Sequence, residues 1–151
     1  MEWMSPMDAS FLHIEGPNNP MHIGGLSIFE GPAPLFERLE EMVSTKLDAV
    51  PRYRQKVRFV PLGLGRPVWV EDPHFNLGYH LRHSALPGPG TEDVLQRTAA
   101  RIFAQHLDRR KPLWEIWMIE GLSQNRWALL SKVHHCMVDG VSATDLMSLM
   151  F

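Results

Sequence analysis

Cysteine, membrane-length apolar runs and an excess of charge of either sign are all scarce in this 151-residue chain. The single cysteine, Cys136, leaves no internal disulfide to form, which is typical of a reducing compartment. No apolar run approaches the ~18 residues that a membrane-spanning helix needs. The N-terminus carries no basic segment followed by a long apolar stretch, so we predict no signal peptide. These absences predict a cytoplasmic protein whose membrane contact, if any, is peripheral.

The charged residues nearly balance, with 15 basic and 17 acidic side chains and a net charge of −2. This balance lacks the electrostatic footprint of nucleic-acid binding, so we expect no nucleic-acid partner. Basic residues cluster at 52–58 and at 101–111. We interpret both clusters as solvated faces, with contact to a phosphate or an anionic lipid as the alternative. The length and the hydrophobic content of 44% allow one compact domain.

Hydrophobic periodicity predicts a mixture of strands and helices after an irregular stretch at 1–20, which prolines and a glycine interrupt. Strands are predicted at 21–30, 56–61, 67–72, 80–86, 113–120 and 126–134, and helices at 34–49, at 91–107 and after Gly140. The Gly24–Gly25 pair inside the first strand indicates a bulge or a close approach of another backbone. The element order predicts an α/β fold, with a mixed sheet flanked by helices.

The residues with the clearest chemical meaning are His134, His135, Asp139 and Gly140, which form the pattern H-H-x-x-x-D-G. The pattern follows a predicted buried strand, and adjacent side chains of a strand point to opposite faces. One imidazole can therefore face a cleft while the other packs into the fold. A tight turn would bring Asp139 near the histidine backbone or a basic side chain, and Gly140 permits unusual dihedral angles or close approach of a ligand. An imidazole that titrates near neutral pH suits a general base.

Three other interpretations of this segment are open. The histidines can be purely structural. A His-x-x-x-Asp spacing also offers two metal ligands, but no third ligand stands at a companion spacing, so we predict no metal. The remaining histidines are scattered, at 13, 22, 74, 80, 83 and 106. Cys136 could act as a nucleophile, but no separate base is spaced for it, and we interpret it as a small buried hydrophobe.

The motif H-H-x-x-x-D-G resembles the signature of the chloramphenicol acetyltransferase-like superfamily of CoA-dependent acyltransferases, which includes the condensation domains of peptide synthetases. Met4–Leu12, Gly65–Val70 and Pro112–Glu115 narrow the resemblance. With the motif, they look like the N-terminal part of a bacterial wax ester synthase/diacylglycerol acyltransferase, especially of the actinobacterial branch. The resemblance covers essentially the whole chain, which would be about the first third of such an enzyme. Phe75–Gly78 departs from the family, which has more acidic residues there, and this leaves the hydrogen bonding of that loop open.

The resemblance implies that residues 1–151 are an N-terminal acyltransferase domain, the first half of a two-domain fold with a substrate channel between the halves. It implies that His135 is the general base that activates the hydroxyl of diacylglycerol or a long-chain alcohol, with long-chain acyl-CoA as the donor. His134, Asp139 and Gly140 would support the active-site loop. The motif of Pro112, Leu113 and Trp114 would be structural. No cofactor is expected, since acyl-CoA is a substrate.

The resemblance also implies partners and leaves alternatives. The apolar helical pattern stops at Phe151, so we expect a C-terminal portion of the same enzyme to pack there and the isolated fragment to be inactive. Oxyanion donors are expected from that portion. Contact with the inner membrane or with lipid droplets would be peripheral. The alternatives are a condensation-type domain that forms amides from carrier-bound acyl groups, and a non-catalytic half-domain for assembly or lipid binding.

Overall fold

The computed structural model of the chain describes residues 2–137, which fold into two β-sheets and the helices that flank them. In chain order the elements are β1 (Glu2–Trp3), α1 (Pro6–Ile14), β2 (His22–Glu30), α2 (Phe36–Leu47), β3 (Gln55–Arg58), β4 (Val68–Glu71), α3 (Leu77–His80), β5 (Leu81–Ala85), α4 (Glu92–Ala104), β6 (Trp114–Leu122) and β7 (Arg126–His134). Short 3-10 turns lie at Pro51–Arg54, Pro61–Gly63 and His135–Met137. The predicted α/β class is confirmed.

The larger sheet has the strand order β2–β7–β6–β5. β6 and β7, which match the strands predicted at 113–120 and 126–134, form a hairpin with Trp114 opposite Val133, and β2 pairs antiparallel with β7. β5 runs parallel to β6, so the sheet is mixed, as predicted. The smaller sheet is antiparallel, in the order β1–β4–β3. Its strands β3 and β4 lie close to the strands predicted at 56–61 and 67–72, whereas β1 lies in the stretch that we predicted to be irregular.

The central strands β6 and β7 are buried on both faces. Met118 and the paired Leu129 point into a hydrophobic cluster that includes side chains of α1 and α2. Their neighbours Ile119 and Ala128 point the other way, into a second cluster that α4 covers with Leu95 and other residues. Because β7 has a strand on each side and a helix layer on each face, its C-terminal end is a rigid platform for the residues that follow.

Helix α1 contradicts the predicted irregular start of the chain. Ser5 is its N-cap and accepts the backbone N–H of Asp8 on Oγ at 3.1 Å. Pro6 occupies the first helical turn, where no intrahelical partner for its missing N–H is needed. Asp8, in the first turn, complements the helix dipole. The prediction was wrong because it took Pro6 as a breaker, whereas this proline begins a helix that buries Leu12.

Helices α2 and α4 lie close to their predicted positions, whereas the short α3 was not predicted. Thr91, the first residue of the predicted segment, caps α4 through Oγ1, but the helix ends at Ala104, before the predicted end at 107. The loop that departs from the family contains Asn76, whose side chain accepts the N–H of Gly78 and begins the short α3. The helix predicted after Gly140 lies outside the described residues.

The Gly24–Gly25 pair marks a close approach, and the β2–β7 ladder runs past it in register. A Cβ atom on Gly24 would lie 1.9 Å from the carbonyl oxygen of Ser131 and 2.6 Å from Cε1 of Phe103, so no side chain fits there. The nearest atom to a Cβ on Gly25 would be Ser131 Oγ, at 4.0 Å. The missing side chain of Gly24 therefore lets Phe103 of α4 lie against the edge of the sheet beside His22.

Candidate active site

The paired histidines lie where β7 ends and a 3-10 turn begins. The side chain of His134 is 1% exposed, whereas His135 is only half-buried. The two rings therefore differ in access, as the alternation of side chains along a strand predicts. His134 lies directly opposite His22 in the β2–β7 ladder. We predicted that His22 and the other histidines are scattered, and the structure instead places His22 beside the motif.

His134 is held as a neutral imidazole. Its Nδ1 accepts the backbone N–H of Cys136 at 3.1 Å, which an imidazolium has no lone pair to do. The proton of the neutral ring therefore lies on Nε2, which is 3.2 Å from Oε1 of Glu15 with its N–H direction out of line for a good hydrogen bond. Burial lowers the pKa of His134, and the Glu15 carboxylate opposes that shift. This imidazole is therefore part of the scaffold of the turn.

His135 is positioned by its backbone and by one ring contact. Its N–H donates to the carbonyl oxygen of Met21 at 2.8 Å, just before β2. Its imidazole stacks on Phe11 of α1, with ring centroids 4.9 Å apart and planes at 25°. The half-buried imidazole thus has an oriented plane at the end of β7, and an imidazole is a side chain suited to general-base chemistry.

Glu15, which is not among the predicted site residues, connects the two histidines. Its side chain is 5% exposed, yet one oxygen accepts the N–H of Met21 at 2.8 Å and the other accepts Nη2 of Arg109 at 2.8 Å. Burial alone would raise the pKa of Glu15, but the hydrogen bonds from Met21 and Arg109 lower it to about 2. The carboxylate is thus charged at all working pH values. No local sequence signal marks it, because Arg109 and His134 are distant in the chain.

The Pro112–Trp114 motif supports the histidines from the neighbouring strand. The carbonyl oxygen of Leu113 accepts the N–H of His134 at 3.0 Å. Trp114 is 1% exposed and donates Nε1–H to the carbonyl oxygen of Tyr53 at 2.8 Å. The carbonyl oxygen of Pro112 accepts the N–H of Trp114 at 3.1 Å and closes a tight turn. Each of these contacts is internal to the fold, which fits the structural role that we predicted for the motif.

Cys136 lies inside the core. Its side chain is 1% exposed, and burial raises the pKa of its thiol well above the ordinary range, with the Asp8 carboxylate adding to the shift. A thiol in this state is a poor nucleophile. Asp139 and Gly140, which we predicted to support the loop, lie outside the described residues. Within residues 2–137, no three His, Cys, Asp or Glu side chains are grouped so that they could hold a metal ion.

The two basic clusters, which we predicted to be solvated faces, include side chains that make contacts within the fold. Arg109 reaches inward to Glu15 and also donates to the carbonyl oxygen of Leu12 at 2.7 Å. Lys56 and Arg58, from the first cluster, line an open cavity of about 680 Å3 together with Arg109 and Arg110, from the second. The two clusters are thus neighbours in the fold, although the sequence separates them.

The chain is similar to solved acyltransferase and condensation structures. It superposes on the wax ester synthase/diacylglycerol acyltransferase from Marinobacter aquaeolei VT8 with a TM-score of 0.79 and 39% identity, over 94% of this chain and 36% of that one. The starter condensation domain of rhizomide synthetase RzmA gives a TM-score of 0.74 over 99% of this chain and 36% of that one; its 15% identity shows the fold alone. The fold and the histidine turn at the end of β7 therefore define a chloramphenicol acetyltransferase-like domain.

Within that class, the chain belongs to the wax ester synthase/diacylglycerol acyltransferase family, whose catalytic-domain model matches residues 4–151. It is 44% identical over 150 residues to "Probable diacyglycerol O-acyltransferase tgs1" of Mycobacterium tuberculosis H37Rv, covering 98% of this chain and 32% of the relative. It is 46% identical over 142 residues to the tgs3 protein of the same strain, covering 93% of this chain and 52% of the relative. The chain thus spans about a third to a half of these relatives, and the resemblance read from the motifs is confirmed.

Among the described residues, the structure contains no helix that is both long and apolar enough to cross a bilayer.

Proposed function

We propose that the full-length protein that carries this chain transfers a long-chain acyl group from acyl-CoA to the hydroxyl of diacylglycerol or of a long-chain alcohol. Family membership supports the reaction class. The observation that carries the mechanism is the half-buried imidazole of His135, oriented by Phe11 at the end of a buried strand. The products are triacylglycerol or a wax ester, together with free CoA.

In this mechanism His135 is the general base. Its ring nitrogen takes the proton of the acceptor hydroxyl as that oxygen attacks the thioester carbonyl carbon. The tetrahedral intermediate then collapses, the carbon–sulfur bond breaks, and the imidazolium returns the proton to the departing thiolate. General-base assistance of this kind contributes about 10²–10⁴-fold. A thioester is already activated, so we propose no metal, no cofactor and no covalent enzyme intermediate.

The surrounding residues have supporting roles. His134, neutral and buried, stabilises the turn through Cys136. Asp139 is proposed to fix the loop through a basic side chain, and Gly140 to keep the channel open beside the base. Oxyanion donors and much of the CoA channel are proposed to come from the C-terminal portion of the enzyme. We place the protein in the cytoplasm, with peripheral contact to the inner membrane or to lipid droplets, where its lipid substrates dissolve.

The test is an acyl-transfer assay of the full-length protein, with long-chain acyl-CoA and either diacylglycerol or a long-chain alcohol. We expect ester formation, and we expect His135→Ala to lower kcat by about 10²–10⁴-fold. His74→Ala is the matched control, because His74 is exposed and lies outside the site. Full activity of a folded His135→Ala variant would remove the proposed base and favour a non-catalytic role for this half. Turnover only with carrier-bound thioesters and amines would instead favour the condensation-type alternative.

A further inference from the structure

The loop between β3 and β4 carries the most exposed large hydrophobic side chains of the described residues. Leu62 is 93% exposed and Leu64 is 80% exposed, with Phe59, 45% exposed, at the start of the loop. Trp3 of β1, itself 58% exposed, lies beside them, since a Cβ on Gly65 would lie 3.3 Å from its ring. We call Trp3, Phe59, Leu62 and Leu64 the apolar tip. Soluble proteins seldom expose such a group unless it meets a partner or a membrane.

Backbone hydrogen bonds fix the conformation of the loop that carries Leu62 and Leu64. The N–H of Gly63 donates to the carbonyl oxygen of Val60 at 3.3 Å, and the N–H of Leu64 donates to that of Pro61 at 3.4 Å. Leu62 adopts φ 61° and ψ 16°, in the left-handed region that a residue with a side chain disfavours. The backbone therefore accepts strain in a turn that presents a leucine to solvent. Glycine or asparagine would occupy this position without that cost, so leucine here has no explanation in folding alone.

The charged side chains of the loop itself all have one sign, and Glu2, the acidic neighbour of Trp3, is paired with Arg52 at 2.9 Å. From Val57 to Val70 the sequence contains Arg58 and Arg66 and no acidic residue. Both arginines are exposed, and neither makes an ion pair with another residue of the described part of the chain. Arg58 also borders the cavity that Lys56, Arg109 and Arg110 line; the acidic side chain there is Glu71. Within that lining Lys56 lies 3.9 Å from Asp72, Arg109 pairs with Glu15 and Arg110 pairs with Asp108. The positive charge next to the apolar tip is therefore that of Arg58 and Arg66.

We propose that the apolar tip docks the protein on an anionic lipid surface, with Leu62 and Leu64 inserted between the acyl chains at the level of the headgroups. Trp3 suits the interfacial layer, and Arg58 and Arg66 suit the phosphate layer, because long basic side chains keep their charge in water while their stems lie against apolar groups. The inference extends the proposed function, whose substrates dissolve in lipid. It names the part of this chain that would bring the site to them.

A lipid surface fits these observations better than a second protein surface does. A protein bound over the apolar tip would need carboxylates placed to pair with Arg58 and Arg66. An anionic lipid surface supplies negative charge at every position. A protruding turn with two leucines also presents little area to a protein partner but enough to enter a lipid layer. The remaining part of the polypeptide is the main competing occupant, and the experiment is designed to detect it.

The experiment measures co-sedimentation of the full-length protein with vesicles of phosphatidylcholine, with and without about one-third phosphatidylglycerol. We expect Leu62→Ser/Leu64→Ser to weaken binding to the anionic vesicles about tenfold or more. We expect Arg58→Gln/Arg66→Gln to weaken it by a similar factor and to remove most of its salt dependence. Leu35→Ser is the matched control, because Leu35 is 72% exposed at the start of α2, away from this loop; this variant should bind as the wild type does.

Two results would overturn the proposal. One is unchanged vesicle binding by both double variants. The other is a lowered Tm of the Leu62→Ser/Leu64→Ser variant with unchanged vesicle binding, which would show that the remaining polypeptide covers the apolar tip. Because co-sedimentation does not depend on catalysis, the vesicle-binding result can be interpreted even if the proposed acyl transfer is not observed. Conversely, assays of the same variants with a short-chain acyl-CoA and a water-soluble alcohol should show unchanged activity, since the loop contains none of the proposed catalytic groups.

Discussion

Oε1 of Glu15 lies 3.2 Å from Nε2 of His134, and the other oxygen of the same carboxylate accepts the N–H of Met21. Met21 in turn accepts the N–H of His135 through its carbonyl oxygen. One oxygen of this buried carboxylate therefore lies next to His134. The other is connected to the backbone of His135 through Met21. Arg109 and the N–H of Met21 offset the desolvation penalty of burying this carboxylate.

We predict that Glu15→Gln lowers kcat by about tenfold or more at nearly unchanged KM, because a misplaced base raises the barrier without weakening substrate binding. The amide keeps the size of the side chain but loses the charge that Arg109 and His134 face. Glu92→Gln is the matched control, since it also removes an Arg-paired carboxylate, the one 2.8 Å from Arg126 at the start of α4.

A double variant separates positioning from general damage. If Glu15 acts through the base, Glu15→Gln/His135→Ala should be no slower than His135→Ala alone. Multiplied losses would show that Glu15 contributes independently of His135, and the interpretation would then be wrong. Glu15→Asp, which keeps the charge on a shorter side chain, should recover part of the activity. Circular dichroism of each variant should match the wild type.

Gly24 gives a prediction about stability. Gly24→Ala should lower the free energy of unfolding by about 1–3 kcal/mol, because the new Cβ would meet the backbone oxygen of Ser131 and the ring of Phe103. Gly25→Ala should change it by less than about 0.5 kcal/mol, since its Cβ would have ordinary contacts. Urea unfolding of the two variants beside the wild type checks both values. Equal midpoints would contradict the close approach of β2 and β7.

Much of the fold could be predicted from the sequence because its signals are local. The β6–β7 hairpin follows from alternating apolar residues around a polar turn, and α4 follows from Thr91 and the acidic residues of its first turn. Helix α1 could not be predicted in this way, because a proline such as Pro6 disrupts the interior of a helix but is favoured in its first turn. The proline rule alone does not decide between these two positions.

Of the candidate site, only the residues of the histidine motif could be predicted from the sequence. The pattern selected His134 and His135, and the alternation along β7 predicted which kinds of environment they occupy. Glu15 was missed because its partners, Arg109 and His134, come from distant parts of the chain, and no spacing rule connects them. The register of β2 against β7, which places His22 beside His134, is likewise a property of sheet pairing rather than of either segment.

Buried histidines predict an acid-sensitive fold. Burial lowers the pKa of His22, His80 and His134 below the ordinary value of 6.5, so the unfolded chain binds protons below that pH that the folded chain does not bind. Stability therefore rises with pH and falls on acidification below the unfolded pKa of these histidines. Glu15, with a folded pKa of about 2 against 4.5, adds a loss of the same sign at lower pH.

The check compares urea midpoints near pH 7.5 and near pH 5.5 for the wild type and for His80→Phe. His80 stacks on Trp114 at 4.5 Å between ring centroids, and phenylalanine keeps that packing but binds no proton. The variant should be less stable at neutral pH, by about 1 kcal/mol for the lost hydrogen bond to Trp114. It should lose less stability than the wild type on acidification. An unchanged difference between the two pH values would show that His80 does not take part.

Cys136 provides the sharpest test against covalent catalysis, because it lies within the motif between the proposed base and Asp139. Its thiol is buried and its pKa is raised, so the folded protein should hold it as an unreactive thiol. Iodoacetamide should label Cys136 slowly in the native full-length protein and rapidly in urea, as measured by mass spectrometry of the peptide that contains it. Cys136→Ala should keep ester synthesis within about threefold of the wild type, with a small loss of stability from the removed sulfur. Rapid native labelling together with complete loss of activity in Cys136→Ala would make the thiol the nucleophile, and the imidazole of His135 would then be its activating base.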